Sequence, residues 1–115
     1  MARILVVDDD DTNRRLCWAI LKEYGHLACT FYDAELALNH LLENRHHYDL
    51  LLTDLEMPKM QGDELSNRVR EHFPDLPIIM MSGGEVPMEH SADIFLSKPF
   101  HAQELPRIID SLLKK

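Results

Sequence analysis

Short apolar runs alternate along this chain with stretches in which apolar residues recur at helical spacing. Runs rich in aliphatic and β-branched residues predict five β-strands, at Arg3–Val7, Leu27–Tyr32, Leu50–Thr53, Pro77–Met81 and Ile94–Ser97. Strands that are apolar on both faces, with amphipathic helices between them, are typical of a parallel sheet that is covered on both sides. Because parallel strands are joined by right-handed crossovers, the pattern predicts a doubly wound α/β fold with a five-stranded sheet.

Apolar residues spaced three or four positions apart predict the helices. The first helix follows the first strand, and Gly25 is placed to end it. The second begins after Asp33, a residue type that caps helix N-termini. The last contains Pro106, so we expect it either to begin near Leu105, with the proline in its first turn, or to kink there. A third, shorter stripe is formed by Leu65, Val69 and Phe73.

The connection between the fourth and fifth runs is short. Ten residues, Gly83–Ala92, lie between them, whereas a crossover that contains a helix generally needs about 10–12 residues or more. Gly83, Gly84 and Pro87 limit a helix further. We therefore expect a shortened fourth helix of at most one or two turns in this connection.

The composition is that of one folded domain. The chain has 115 residues, of which 45% are hydrophobic and 28% charged, so we interpret residues 1–115 as a single domain with a core of its own. No apolar stretch approaches the roughly 18–20 residues of a membrane helix, and the N-terminus becomes acidic too early for a signal peptide. We expect a cytoplasmic protein without membrane contact, in which Cys17 and Cys29 are reduced core thiols.

The charge of the chain excludes one class of partner. The net charge is −8, from 12 Lys and Arg against 20 Asp and Glu. Binding to a nucleic-acid backbone relies on basic residues that displace counterions, so we expect no direct nucleic-acid binding. A cation, or a basic patch on a protein partner, suits this charge better.

The polar residues that follow the predicted strands supply the candidate chemistry. Asp8 and Asp9 follow the first strand, Asp54 the third, Ser82 the fourth and Lys98 the fifth. Functional groups of open parallel sheets gather at the carboxyl ends of the strands, so these side chains are expected to meet. Adjacent carboxylates repel each other unless a cation compensates them, and a few carboxylates with open coordination positions suit Mg²⁺, or Mn²⁺ in its place. The lysine and the hydroxyl suit a phosphoryl group carried by a nearby aspartate.

The four consecutive aspartates at 8–11, the acidic run, also have a purely structural interpretation. Carboxylates at the start of a helix interact favourably with its dipole and cap its free N–H groups. On this interpretation Asp11 or Thr12 caps the first helix. It leaves the other three strand ends unexplained.

Four stretches together resemble the motifs of a response-regulator receiver domain, the phosphoacceptor module of two-component signalling that includes the chemotaxis regulators. They are ILVVDDD at 4–10, LLLTDLEMPKMQG at 50–62, IIMMSGG at 78–84 and FLSKPF at 95–100. The resemblance implies a flavodoxin-like (βα)₅ fold with strand order 2-1-3-4-5. It also implies that Asp54 accepts the phosphoryl group.

The resemblance further assigns a role to each strand end. Asp8, Asp9, Asp54 and the backbone carbonyl of Glu56 would hold Mg²⁺. The other residues that the resemblance implicates are Lys98 as partner of the phosphoryl oxygens, Ser82 as the switch hydroxyl, Gly83 as a backbone contact to the phosphate, and Phe95 as the aromatic switch. The Lys98–Pro99 peptide bond would be cis.

The resemblance also implies partners. The phosphoryl donor would be a sensor histidine kinase or a histidine phosphotransfer protein, and the output would be contact with a downstream protein. Such a domain catalyses its own phosphorylation and slow dephosphorylation, and is not a conventional turnover enzyme.

Two other functions fit part of the sequence. Residues 4–12, ILVVDDDDT, also match the pattern of haloacid-dehalogenase-type phosphohydrolases, in which Asp8 would be the nucleophile and Asp10 the general acid. That interpretation leaves the motif around Asp54 unexplained. The second alternative is a pseudo-receiver, a binding module that is not phosphorylated.

Overall fold

The chain forms a five-stranded parallel sheet with helices on both faces. The computed structural model describes residues 1–114. In chain order the elements are β1 (Arg3–Val7), α1 (Asp11–Glu23), β2 (Leu27–Phe31), α2 (Ala34–Glu43), β3 (Leu50–Asp54), α3 (Gly62–His72), β4 (Ile78–Ser82), β5 (Ile94–Ser97) and α4 (Glu104–Leu113). The strand order is β2-β1-β3-β4-β5 and every pair is parallel. The predicted doubly wound fold and its strand order are confirmed.

Alternate residues of the central strands enter two separate cores. Ile4 and Val6 of β1 pack with α1 and α4 on one face, whereas Leu5 and Val7 pack with α2 and α3 on the other. All four are fully buried. This two-sided burial is the reason that the strands read as continuous apolar runs.

The sequence signals at the helix ends behave as expected in two places. Gly25 has a φ of +83°, and the N–H groups of Gly25 and His26 donate to the carbonyls of Lys22 and Leu21, which closes α1. The carboxylate of Asp33 accepts from the N–H of Leu36 at 3.0 Å and caps α2.

The predicted cap of α1 is wrong. The N-cap is Asp10, and its side chain makes no capping hydrogen bond. The Asp11 carboxylate, one residue inside the helix, pairs with Arg14 at 2.5 Å and Arg15 at 3.1 Å. Asp11 is therefore the acidic residue of the first helical turn, and the carboxylates of Asp8 and Asp9, earlier in the run, are left for other contacts.

The connection from β4 to β5 contains no helix. Residues 83–93, which we call the β4–β5 segment, form bends and irregular backbone throughout. The prediction of at most two helical turns is therefore confirmed. The prediction of a shortened fourth helix in this connection is wrong, because residues 83–93 contain no helical turn. Pro106 lies in the first turn of α4, as one of the two expected arrangements has it.

Candidate functional site

The carboxyl ends of four strands bring the candidate residues together. Val7 of β1 pairs with Thr53 of β3, so Asp8 and Asp54 follow at the same level of the sheet. On the other side of β3, Lys98 comes directly after β5, and its N–H donates to the Ser82 carbonyl at 2.9 Å. The parallel register thus places side chains from distant parts of the chain at one edge.

Lys98 lies between two buried carboxylates. Its Nζ atom is 2.5 Å from Oδ1 of Asp54 and 3.8 Å from Oδ2 of Asp8. The Asp8 side chain is fully buried and that of Asp54 is 5% exposed. Charges this close in a water-poor setting interact more strongly than at a surface. The ammonium group therefore holds the Asp54 carboxylate in one position.

The charge cluster changes the protonation equilibria of its members. Burial raises the pKa of Asp54 above its usual value, and the negative charge of Asp8 adds to this rise, while Lys98 opposes it. Burial alone would lower the pKa of Lys98, but its hydrogen bond to Asp54 and the charges of Asp8, Asp54 and Asp10 outweigh that effect and raise it. Lys98 is therefore a fixed positive charge at neutral pH, and the negative charge of Asp54 is costly to hold.

Three carboxylates can converge on one cation. One oxygen each from Asp8, Asp9 and Asp54 lie within 4.8 Å of one another, and we call these three residues the acidic cluster. Asp9 is exposed, so the cluster opens to solvent on its side. Several hard oxygen ligands next to open positions match the preference of Mg²⁺, and the residues present fit that ion. The Glu56 carbonyl, two residues beyond Asp54, stays a predicted ligand.

Asp8 is positioned by two residues that sequence reasoning missed. Its Oδ1 accepts from the N–H of Asp10 at 2.9 Å and its Oδ2 from the side-chain amide of Asn13. Arg14 donates to the main-chain carbonyl of Asp8 at 2.9 Å. The available signal in the sequence was that two adjacent polar residues, Asn13 and Arg14, follow the acidic run in the first turn of α1. Asn13 therefore orients the Asp8 carboxylate, and Arg14 holds the backbone that carries it.

Ser82 is at the site but is bonded elsewhere. Its hydroxyl accepts from the N–H of Gly84 at 3.1 Å and lies 3.3 Å from the Gly84 carbonyl. The backbone at Gly83 passes beside Lys98, since a Cβ there would lie 3.8 Å from the lysine Cβ. The hydroxyl is thus engaged with the start of the β4–β5 segment.

Gly62 is required where α3 begins. A Cβ at this position would lie 2.2 Å from the main-chain oxygen of Asp54. The Gly62 N–H donates to the Leu55 carbonyl at 2.8 Å, and Met57 and Met60 of the intervening loop are buried. The glycine in the motif D-x-x-M-P-x-M-x-G therefore lets the loop fold back tightly against the strand that carries Asp54.

Phe95 lies in the middle of β5, opposite Met80 of β4. It is partly buried, and its ring meets the His90 ring edge to face, with centroids 4.6 Å apart. The Lys98–Pro99 peptide bond is cis, as the resemblance implied. Of the two cysteines, Cys17 is fully buried and Cys29 partly buried, and both are free thiols.

This fold, with an acidic cluster and a lysine at the carboxyl edge of its sheet, is that of a receiver-type signalling domain. The family model described as the response regulator receiver domain matches residues 4–110. The chain belongs to this family. Receiver domains are generally not turnover enzymes.

The relatives of this chain differ in how much of their own length it covers. The response regulator receiver protein CpdR of Brucella abortus is 36% identical, over 98% of this chain and 98% of that protein. The 3',5'-cyclic-nucleotide phosphodiesterase regA of Dictyostelium discoideum is 33% identical over 97% of this chain, which spans 15% of that protein. The chain likewise spans 21% of the response regulator ARR10 of Arabidopsis thaliana.

Solved structures show the same architecture. The chemotaxis protein CheY4 of Vibrio cholerae superposes with a TM-score of 0.89 at 27% identity, covering 98% of this chain and 99% of that one. The response regulator TrrA of Thermotoga maritima, solved in complex with Mg²⁺-BeF, has a TM-score of 0.89 at 32% identity, covering 98% of this chain and all of that one.

Among residues 1–114, no helix has the length and apolar character needed to cross a membrane.

Proposed function

We propose that this domain, spanning residues 1–115, accepts a phosphoryl group on Asp54 in a His-to-Asp phosphorelay. The donor is a phosphohistidine of a sensor histidine kinase or a histidine phosphotransfer protein, and the output is contact with a downstream protein. The observation that carries the proposal is the Lys98 ammonium, 2.5 Å from an Asp54 carboxylate oxygen beside two further carboxylates. The proposed setting is the cytoplasm, without membrane or nucleic-acid contact.

The chemical step forms one bond and breaks one. An oxygen of the Asp54 carboxylate attacks the phosphorus, the bond from phosphorus to the histidine nitrogen breaks, and that imidazole leaves and takes up a proton. The product is an acyl phosphate. Lys98 offers a fixed positive charge to the phosphoryl oxygens, where charge is redistributed during the transfer.

The acidic cluster is suited to Mg²⁺, or to Mn²⁺ in its place. Asp8, Asp9 and Asp54 would hold the ion, with the Glu56 carbonyl as a further ligand. When bound, the ion supplies positive charge that offsets repulsion between the carboxylates and the incoming phosphoryl group. Asn13 and Arg14 keep the Asp8 carboxylate and its carbonyl in position for this task.

Phosphorylation adds charge that the neighbouring residues can sense. The Ser82 hydroxyl, now bonded to Gly84, would turn to donate to a phosphoryl oxygen, and the N–H of Gly83 would be a second donor. This shift alters the start of the β4–β5 segment, and Phe95 is the residue through which β5 would respond. The new charge thus favours one of two conformations of the surface, and this is the conformation that a partner recognises.

The test uses a small phosphodonor in place of the kinase. Phosphoramidate with Mg²⁺ is expected to add one phosphoryl group to the intact mass of the protein. Chelation with EDTA should prevent the addition, and Asp54→Asn should abolish it. Asp49→Asn, a change at an exposed aspartate before β3, is the matched control and should be labelled normally. Labelling of Asp54→Asn at the normal rate would refute the proposal.

The geometry favours the receiver function over a phosphohydrolase. The phosphohydrolase interpretation needs Asp8 as nucleophile, but its side chain is fully buried and both of its oxygens accept hydrogen bonds. A pseudo-receiver is distinguished by the same labelling experiment, because it would not be phosphorylated.

A further inference from the structure

A groove separates α3 from the β4–β5 segment and has an unusual apolar edge. It encloses about 580 Å³ and is lined by Asp63, Glu64, Asn67, Pro87, Met88 and Glu89. Met88 is 98% exposed, whereas four of the other methionines are buried at 7% or less. Val86, two residues earlier, is also exposed. A single exposed apolar residue needs no explanation, but an apolar edge rimmed by polar residues is an arrangement found at protein interaction sites.

The β4–β5 segment is fastened although it has no helix. The N–H of Ser91 donates to the Ser66 hydroxyl at 3.0 Å, and the Ser91 hydroxyl donates to Oδ1 of Asn67 at 2.7 Å. Arg70 of α3 donates to the Ser91 carbonyl and to the Asp93 carboxylate, both at 2.9 Å. These contacts anchor the end of the segment that leads into β5, three residues beyond Met88.

The charge around the groove is negative and largely uncompensated. Glu64 pairs with Arg68 at 2.8 Å along α3. Within the described part of the chain, Asp63, Glu85 and Glu89 take part in no ion pair. Asp63 and Glu89 line the groove beside the exposed methionine, in a protein whose net charge is −8. A second copy of the chain would bring like charge to this surface, and a cationic partner would bring the complementary one.

We propose that this groove binds a cationic peptide segment of a partner protein, one that places an aliphatic or aromatic side chain against Met88. Lysine or arginine side chains of the segment would pair with Asp63 and Glu89. Methionine is suited to the apolar contact because its flexible side chain adapts to differently shaped partners. The proposal uses the unphosphorylated protein and does not depend on the chemistry at Asp54.

A random dodecapeptide phage library, panned on the unphosphorylated protein, tests the proposal. We expect the enriched peptides to combine lysine or arginine with an aliphatic or aromatic residue. A synthetic copy of the most enriched peptide should bind Met88→Ser at least about tenfold more weakly, as expected when one apolar contact is lost. It should also bind Glu89→Lys more weakly than the wild type, because the substitution replaces an attraction by a repulsion. The controls are Leu36→Ser, at an exposed leucine of α2, and Glu23→Lys, at an exposed glutamate of α1 on the opposite face of the sheet.

Each outcome decides for or against the groove. Retained affinity in both controls, with losses in both groove variants, supports the proposal. Absence of enriched peptides, enrichment of acidic or uncharged peptides, or wild-type binding by either Met88→Ser or Glu89→Lys would overturn it. Amide NMR spectra of the variants show that each is folded, so that a lost contact is not confused with unfolding.

Discussion

Lys98 is the residue on which the charge balance of the site depends. Its ammonium lies 2.5 Å from Asp54 and 3.8 Å from Asp8. Removing this charge leaves the transferring phosphoryl group among carboxylates without its nearest protein cation. We expect Lys98→Gln to slow phosphoramidate labelling by about 10²–10³-fold, the effect typical of losing one preorganised donor.

Rates from intact-mass time courses measure this effect. Lys22→Gln, at an exposed lysine of α1, is the control and should be labelled at the normal rate. Labelling of Lys98→Gln within about twofold of the wild-type rate would show that the ammonium contributes nothing to the transfer, since a factor of two corresponds to only about 0.4 kcal/mol.

Asp54 is expected to reduce stability at neutral pH in the absence of a cation. Its pKa in the folded state is raised above 3.8, so the folded protein binds this proton more tightly than the unfolded chain does. Stability then falls as the pH rises from about 3.8 through the raised pKa. Asp54→Asn lacks this ionisation and should be more stable than the wild type at pH 7, with the difference shrinking toward pH 3.8.

Urea unfolding of both proteins in EDTA, repeated across this pH range, measures the difference. The remaining carboxylates are common to both proteins, so most of their own pH dependence cancels. An Asp54→Asn protein that is less stable at pH 7, or a difference independent of pH, would contradict the inferred charge strain.

The individual site residues were predictable to different degrees. Asp8, Asp54 and Lys98 could be placed together because each directly follows an apolar strand, and parallel strands end at one edge. Asn13 and Arg14 could not, because their contacts with Asp8 depend on which way the first turn of α1 faces and on side-chain rotamers. Residue spacing alone does not specify either.

At the scale of elements, the loop from β3 to α3 depends on one missing Cβ. We expect Gly62→Ala to lower the free energy of unfolding by about 1–3 kcal/mol, because the added methyl group meets the Asp54 carbonyl and forces the backbone apart. Gly84→Ala is the matched control, since a Cβ there meets nothing closer than 3.9 Å. Chemical unfolding compares them, and equal effects of the two substitutions would contradict the account.

Arg70 replaces a helix as the support of the β4–β5 segment. It donates to the Pro74, Leu76 and Ser91 carbonyls and pairs with Asp93. We expect Arg70→Met to cost about 1–3 kcal/mol of stability, because several partly buried acceptors lose a charged donor. Amide hydrogen exchange should also become faster in the β4–β5 segment.

Arg68→Met is the control on the same helix. Arg68 is exposed and pairs only with Glu64, four residues away, so its loss should cost about 0.3–0.5 kcal/mol. Equal exchange rates of the segment in both variants would show that Arg70 does not anchor it.

The elements themselves were largely predictable, because strands and helices leave clear periodicities and end signals such as Asp33 and Gly25. For the β4–β5 segment, the sequence predicted only an upper limit on the length of a helix. Gly83, Gly84 and Pro87 disfavour a helix, but nothing local indicates that Arg70 donates hydrogen bonds to this segment or that Asn67 accepts one from it, since both residues are distant in sequence. Strand order came from the resemblance to receiver domains, since periodicity identifies strands without giving their neighbours.

At the scale of the whole molecule, a bound divalent ion should stabilise the fold. Any ligand that binds only the folded state raises stability, by about 2.7 kcal/mol at a concentration 100 times its dissociation constant. We expect Mg²⁺ to raise the melting temperature, and Asp9→Asn to weaken this effect by removing one carboxylate of the acidic cluster. Thermal unfolding across a Mg²⁺ titration tests this, with Asp75→Asn at an exposed aspartate as control. An identical Mg²⁺ response in Asp9→Asn and wild type would contradict the assigned ligand.

The central claim is that one particular aspartate carries the phosphoryl group, and reductive trapping tests it most directly. Borohydride reduces an acyl phosphate to an alcohol, so the modified side chain can be located by peptide mass spectrometry after treatment with phosphoramidate and Mg²⁺. The account predicts reduction at Asp54 alone. Reduction at Asp8, or no reduced aspartate in folded protein that binds Mg²⁺, would contradict it.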